Sequence, residues 1–188
     1  MAPRRQPPTT ADRLPGDPSH QAQVAAMIRV DHAGEYGARR IYVGQLAVLG
    51  ATPAAAPIRD MAEQERRHLA AFDRLVVDRR VRPTALAPLW HVAGFALGAA
   101  SALLGPSAAM ACTEAVESVI DDHYRRQARR LGDDEADLRA TIEEFRADEI
   151  RHMATARAHG AAAAPGYTPL SAAIKAGTRL AIWLSTRV

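Results

Sequence analysis

Along residues 17–49, apolar side chains return at alternating steps of three and four. Val24, Ile28, Ala38, Tyr42 and Leu49 share one helical face, and Asp31 and Glu35 lie on it with them. The same spacing over 57–81 collects Ile58, Met61, Phe72 and Leu75, with Glu65 and His68 in register where an ordinary core would be apolar. A third stripe begins after Gly105 and Pro106 and runs through Met110, Thr113, Glu117, Ile120, Tyr124 and Leu131, with Gly132 as the expected left-handed stop. The fourth follows Asp133 and Asp134 and carries Leu138, Ile142, Phe145, Glu149, His152 and Ala156 before Gly160. Strand-type alternation is missing, and Ala, Leu, Arg and Glu dominate the periodic segments, so the predicted fold class is all-α.

Two segments break this pattern. Residues 83–113 contain no Asp, Glu, Lys or Arg, and 89–104 is almost wholly apolar. Crossing a bilayer takes about 20 apolar residues. This run is shorter and is punctuated by Gly94, Gly98, Gly105 and Pro106, which predicts an apolar hairpin that dips into a membrane interface without crossing it. Residues 169–188 predict an amphipathic helix with Leu170, Ile174, Ala181 and Leu184 on one side, Lys175, Arg179 and Arg187 on others, and Trp183 placed for a headgroup layer. A bundle cap or an interface between copies would use the same apolar surface, which leaves room for a homo-oligomer.

Ahead of the first helix, Pro3, Pro7, Pro8, Pro15 and Pro18 without an apolar run predict an N-terminal arm over 1–16 that is neither a secretory nor a transit segment. Residues 17–188 then form a single domain, opened by Asp17 capping a helix whose first position is Pro18, an arrangement that suits a cytoplasmic protein. The formal charge of +3, from 24 basic and 21 acidic residues, is far from the footprint of a dedicated nucleic-acid binder, so neither DNA nor RNA is an expected partner. A single cysteine, Cys112, cannot form an intrachain disulfide or supply a thiolate cluster. Any metal must be held by carboxylates and imidazoles.

Such groups recur in a pattern. Glu-x-x-His occurs at Glu65 and His68 and again at Glu149 and His152, each time on the inward stripe, whereas nine glutamates and seven histidines placed at random give about 0.3 such pairs. Residues three apart on a helix point the same way, about 5–6 Å apart at Cβ, so one carboxylate and one imidazole can hold one ion. The other two helices each place one glutamate inward, and the register repeats: Glu35 precedes Glu65 by 30 residues and Glu117 precedes Glu149 by 32. One Glu from each of two helices plus a Glu-x-x-His from each of the other two is the ligand set of di-iron and di-manganese carboxylate bundles. Four carboxylates balance two divalent cations, and left bare they would not tolerate burial without protonation.

Further stretches carry a resemblance. DHAGEYGA at 31–38, RVRPT at 80–84, PLW at 88–90, GFALG at 94–98 and AMACT at 109–113 resemble the demethoxyubiquinone hydroxylase family of ubiquinone biosynthesis, over nearly everything from Met27 to the end. The resemblance implies a ferritin-like four-helix bundle, extended here by an additional apolar hairpin or helix and the C-terminal amphipathic helix. It implies a di-iron monooxygenase with two iron ions, O₂ and NADH as co-substrates, and a polyprenylated quinone as substrate. It makes Glu35, Glu65, His68, Glu117, Glu149 and His152 the iron ligands, the set that helical phasing gives independently, and it places His123 and Tyr124 at the quinone ring. Peripheral contact through 89–104 and 169–188, at the cytoplasmic face of a bacterial inner membrane in preference to a mitochondrial one, and a lipid-binding partner protein fit the same expectation. No Gly-x-Gly occurs, so a Rossmann-type nicotinamide site is not expected. The alternative is a ferritin-like ferroxidase or peroxidase, which would have no use for a 31-residue uncharged stretch between its second and third ligand helices.

Finer expectations follow from phasing. Tyr42 lies seven residues after Glu35 and Tyr124 seven after Glu117, about 10 Å along the axis and too far to bind the metal itself. Tyr42 is expected to be a core residue with a satisfied hydroxyl, and Tyr124 to act at the quinone. Asp148, directly before Glu149, is expected to back His68; Gln64, directly before Glu65, is expected to back His152.

Overall fold

A computed structural model describes residues 14–188, so most of the arm expected over 1–16 lies outside the described residues. Six α-helices follow one another: α1 (His20–Leu49), α2 (Ala55–Asp78), α3 (Ala87–Leu103), α4 (Pro106–Ala128), α5 (Ala136–Ala158) and α6 (Tyr167–Ser185). No strand occurs among the described residues. The four predicted stripes are α1, α2, α4 and α5, and each is interrupted midway by its polar pair or glutamate. Apolar residues on either side of that interruption form two clusters, one holding Ile28, Phe72, Ile120 and Ile142, the other Leu49, Ile58, Met61 and Met110. The polar residues are thereby held across the middle of the bundle, sealed at both ends.

Three local expectations are corrected. Ser19, not Asp17, caps α1, its side chain accepting from the Ala22 N–H; Asp17 instead accepts from the Leu14 N–H at 2.9 Å and closes the turn before the helix. Gly132 is extended (φ −79°, ψ −171°), because α4 has already ended at Ala128. The Arg130 and Leu131 N–H groups close the last turn on the Gln127 carbonyl, and Arg139 donates to the carbonyls of Leu131 and Gly132 at 3.2 Å, holding the connection to α5.

The third correction concerns the apolar run: it is one continuous helix, α3, not a hairpin. Its glycines are points of contact. A Cβ at Gly98 would lie 2.0 Å from the Ile41 carbonyl oxygen, and one at Gly44 would lie 2.2 Å from that of Phe95. Bare backbone on both helices lets α3 lie directly on α1. No described helix is long and apolar enough to cross a membrane. Leu89, Val92 and Leu103 of α3 and Leu104 just beyond it remain exposed, as do Leu180 and Trp183 of α6. The Trp90 indole donates to Ser185 Oγ at 2.9 Å and ties the start of α3 to the end of α6.

Candidate metal centre and adjoining cavity

All six predicted ligands meet in the bundle, each only 1% exposed. Glu35, Glu65, His68 and Glu149 form one group and Glu65, Glu117, Glu149 and His152 a second; within each, one donor atom per residue lies within 4.8 Å of the others. Glu65 and Glu149, the glutamates of the two Glu-x-x-His pairs, belong to both groups and so stand where bridging carboxylates would. His68 turns Nδ1 inward, 3.4 Å from Glu35 Oε2 and 3.3 Å from Glu149 Oε1. The Nδ1 of His152 is 3.1 Å from both Glu65 Oε1 and Glu149 Oε2.

Electrostatics follow from this crowding. Burial, then the neighbouring Glu149 charge, pushes Glu65 and Glu117 well above the usual carboxylate range. Burial alone would also raise Glu149, but the His152 and His68 rings beside it outweigh burial and hold that carboxyl at about 2. Burial would lower His68, and its contacts with Glu149 and Glu35 instead push it up to about 9. Glu35 Oε2, Glu65 Oε1, His68 Nδ1, Glu117 Oε2 and Glu149 Oε1 are buried without a hydrogen-bond partner. Orphaned donors of this kind, converging from four helices, fit two divalent cations: oxygen and imidazole nitrogen in the ratio that iron or manganese takes.

The surrounding shell was partly legible. His68 Nε2 meets Asp148 Oδ2 at 2.9 Å, as phasing predicted, and Phe145 stacks on the same ring at 4.1 Å. The Gln64–His152 pairing does not occur. Gln64 is half-buried and donates to the Asp60 carbonyl one turn back, while His152 Nε2 is buried without a partner. Both tyrosines reach a glutamate on the opposite helix: the Tyr42 hydroxyl donates to Glu117 Oε1 at 2.7 Å, and the Tyr124 hydroxyl donates to Glu35. Seven residues of helix place each ring a turn and more beyond its own glutamate, and the side chain leans back toward the N-terminus to meet the other one.

The inward stripe of α1 contains Asp31 but gives it no role, and the spacing alone does not single out Gln45 and Gln127. These two stand ten residues after Glu35 and Glu117, a repeat that was there to be read. Gln127 Nε2 donates to Asp31 Oδ1 at 2.9 Å and Gln45 Nε2 to Thr113 Oγ1 at 3.3 Å, so the two halves of the bundle repeat the same kind of bond between α1 and α4. His123 Nε2 also meets Asp31 Oδ1, at 3.0 Å. His123 and Tyr124 both line a cavity of about 370 Å³ enclosed by α1, α3, α4 and α6, with Asp31, Trp90, Leu97 and Ala181 among its walls. Tyr124 is common to this cavity and to the carboxylate cluster.

An all-helical bundle that converges four glutamates and two histidines in this way has the architecture of the ferritin-like di-metal carboxylate proteins. Within that class, the family model for ubiquinone biosynthesis protein COQ7 matches residues 22–185, and the chain belongs to that family. It is 60% identical over 181 residues to the 3-demethoxyubiquinol 3-hydroxylase of Rhodospirillum rubrum, covering 96% of this chain and 85% of that one. Similarity extends to the human mitochondrial NADPH-dependent 3-demethoxyubiquinone 3-hydroxylase, 51% identical across 89% of this chain and 79% of the relative. The mitochondrial 5-demethoxyubiquinone hydroxylase of Saccharomyces cerevisiae is 42% identical, with 86% and 77% covered.

Proposed function

We propose that this protein is a di-iron monooxygenase that hydroxylates the ring of a polyprenylated demethoxyubiquinol in ubiquinone biosynthesis, using O₂ and a nicotinamide reductant. The observation that carries this reading is Tyr124: its ring lines the apolar cavity while its hydroxyl donates to Glu35, so a flat ring bound in the cavity would lie one side chain away from the carboxylate cluster. Glu35 and His68 would hold one iron and Glu117 and His152 the other, with Glu65 and Glu149 between them. Bound iron would supply the activation of O₂ that inserting an oxygen atom into an aromatic ring requires. The chain's own residues supply the remainder: the apolar walls exclude water, α1 and α4 fix the ring beside the cluster, and His123 offers a polar contact at the cavity wall.

The substrate's tail accounts for α3 and α6. Leu89 and Val92 near the start of α3 and Trp183 on α6 are exposed on the two helices that flank the cavity and that the Trp90–Ser185 bond joins. Such a rim suits a peripheral protein that draws a lipid from the bilayer, here at the cytoplasmic face of a bacterial inner membrane. We take 17–188 as one functional unit. The names of several relatives favour NADPH over the NADH that the resemblance implied. A ferroxidase or peroxidase is the second reading; the apolar cavity speaks against it, since neither substrate needs one. The test is the quinone pool of a strain lacking its own hydroxylase, read by mass spectrometry. Expression of this chain should convert accumulated demethoxyubiquinone to ubiquinone, and an unchanged pool with the protein present and loaded with iron would overturn the reading.

A further inference from the structure

Resting on the hydroxylase reading, we propose that Asp31 is a positioning residue that fixes His123 as a hydrogen-bond acceptor toward the cavity, so that the site takes the quinol form of its substrate in preference to the quinone. Asp31 is 2% exposed and its Oδ1 receives both His123 Nε2 and the Gln127 amide, at 3.0 and 2.9 Å. A carboxylate oxygen that accepts twice leaves the hydrogen on the ring nitrogen facing it. Neutral imidazole carries one hydrogen, so Nδ1 of His123 is left as a lone-pair acceptor. A quinol hydroxyl can donate to it. A quinone carbonyl can only accept, and two acceptors facing each other in an apolar pocket gain nothing and lose their solvation.

The two-fold relation between α1 and α4 sets this pair apart from the repeated scaffold. Counting from Glu35 and Glu117, Tyr42 corresponds to Tyr124 and Gln45 to Gln127, and the bonds they make are the same in kind. Asp31 corresponds to Thr113, and His123 corresponds to Ile41. One half of the scaffold is therefore completed by a hydroxyl and an aliphatic side chain. The other half has a carboxylate and an imidazole in those places, and both line the cavity.

The tautomer is read by nitrogen NMR of the full chain loaded with zinc, a diamagnetic stand-in for iron. His123 should carry its hydrogen on Nε2; Nδ1–H or a doubly protonated ring in the wild type would overturn the proposal without any variant. Binding is read by tryptophan fluorescence of the Trp183→Phe protein, in which Trp90 at the cavity wall is the one remaining indole, under anaerobic conditions with a short-tailed methoxy-substituted methylhydroquinone and the corresponding quinone as probes. With Asp31 in place it should favour the quinol by roughly tenfold, the value of one hydrogen bond in an apolar site. Asp31→Leu should abolish that preference, and Asp31→Asn, whose amide oxygen still accepts from Nε2, should largely restore it. Equal affinity for both probes with Asp31 in place, or an unchanged preference in Asp31→Leu, would overturn the proposal. Ring hydroxylation by a protein with the wrong tautomer sinks the Asp31 assignment and spares the hydroxylase reading. The right tautomer and quinol preference with no hydroxylation does the reverse.

Discussion

His68 Nε2 stands 2.9 Å from Asp148 Oδ2, whereas the corresponding nitrogen of His152 is buried without a partner. A carboxylate behind a metal-bound imidazole fixes its tautomer and strengthens it as a ligand, so the two halves of the candidate centre are unequal. Asp148→Asn should weaken iron binding by roughly 10–100-fold, the usual cost of losing such a partner. Gln64→Ala should leave it within about twofold, since the Gln64 amide is bonded to the Asp60 carbonyl and not to His152. Competition with a calibrated chelator measures both, and equal losses in the two variants would show that Asp148 has no special role.

Tyr42 and Tyr124 make matching bonds but face different surroundings. Only Tyr124 lines the cavity. Both Tyr→Phe variants should keep two irons, since neither hydroxyl is a ligand. Tyr124→Phe should slow reductant-driven turnover of the quinol by roughly tenfold, about the value of one buried hydrogen bond, while Tyr42→Phe should turn over near the wild-type rate. Steady-state kinetics with a short-tailed quinol decide the matter, and indistinguishable variants would remove Tyr124 from the reaction.

Loading with metal should expel protons. In the metal-free protein, burial and the neighbouring Glu149 charge favour the protonated forms of Glu65 and Glu117, and the Glu149 and Glu35 contacts push His68 up to about 9; a bound cation favours the deprotonated form of all three. Apparent affinity should therefore rise with pH through the neutral range. The metal-free fold behaves oppositely at His68, whose contribution is full below its ordinary 6.5 and is lost as pH rises through about 9. Glu149 contributes above its ordinary 4.5 and loses that only as pH falls through about 2. Calorimetry in buffers of different ionisation enthalpy reads the released protons directly, and a buffer-independent heat would contradict the assignment.

The contact between α1 and α3 should be intolerant of any side chain. Gly98→Ala puts a Cβ 2.0 Å from the Ile41 carbonyl oxygen, so the helices must separate. Overpacking of this kind costs about 1–3 kcal/mol, a fall in Tm of roughly 2–12 °C for a chain of this size. Gly177→Ala, with nothing within 4 Å, should instead be neutral or gain up to about 1 kcal/mol of helix propensity. Thermal unfolding followed by circular dichroism compares them; a Gly98→Ala variant as stable as the wild type would mean that the helices do not touch there.

What the sequence revealed depended on whether a property belonged to one helix or to two. Glu65 with His68 and Glu149 with His152 are intrahelical pairs, and each inward stripe was visible from its own spacing. Asp148 was also legible, since burial of its flank against α2 follows from the position of Glu149. Gln64 failed because its flank is half-buried and its own helix offers it a carbonyl. Gly94 and Gly98 read as interruptions of an apolar run because their purpose, the α1 backbone at Gly37 and Ile41, lies 57 residues away in the chain. Asp31 was seen but not understood for the same reason: its partners His123 and Gln127 come from α4.

A single turnover under ¹⁸O₂ tests the central claim most directly. The full chain, loaded anaerobically with ferrous iron and mixed with a short-tailed demethoxyubiquinol, is exposed to labelled oxygen and the quenched quinol is weighed by mass spectrometry. The arrangement of six ligands beside the Tyr124 cavity predicts a product with one ¹⁸O in a new ring hydroxyl, and predicts none when Glu117→Ala replaces the wild type. An unmodified ring from the iron-loaded wild type, or a hydroxyl oxygen that comes from water, would contradict the account.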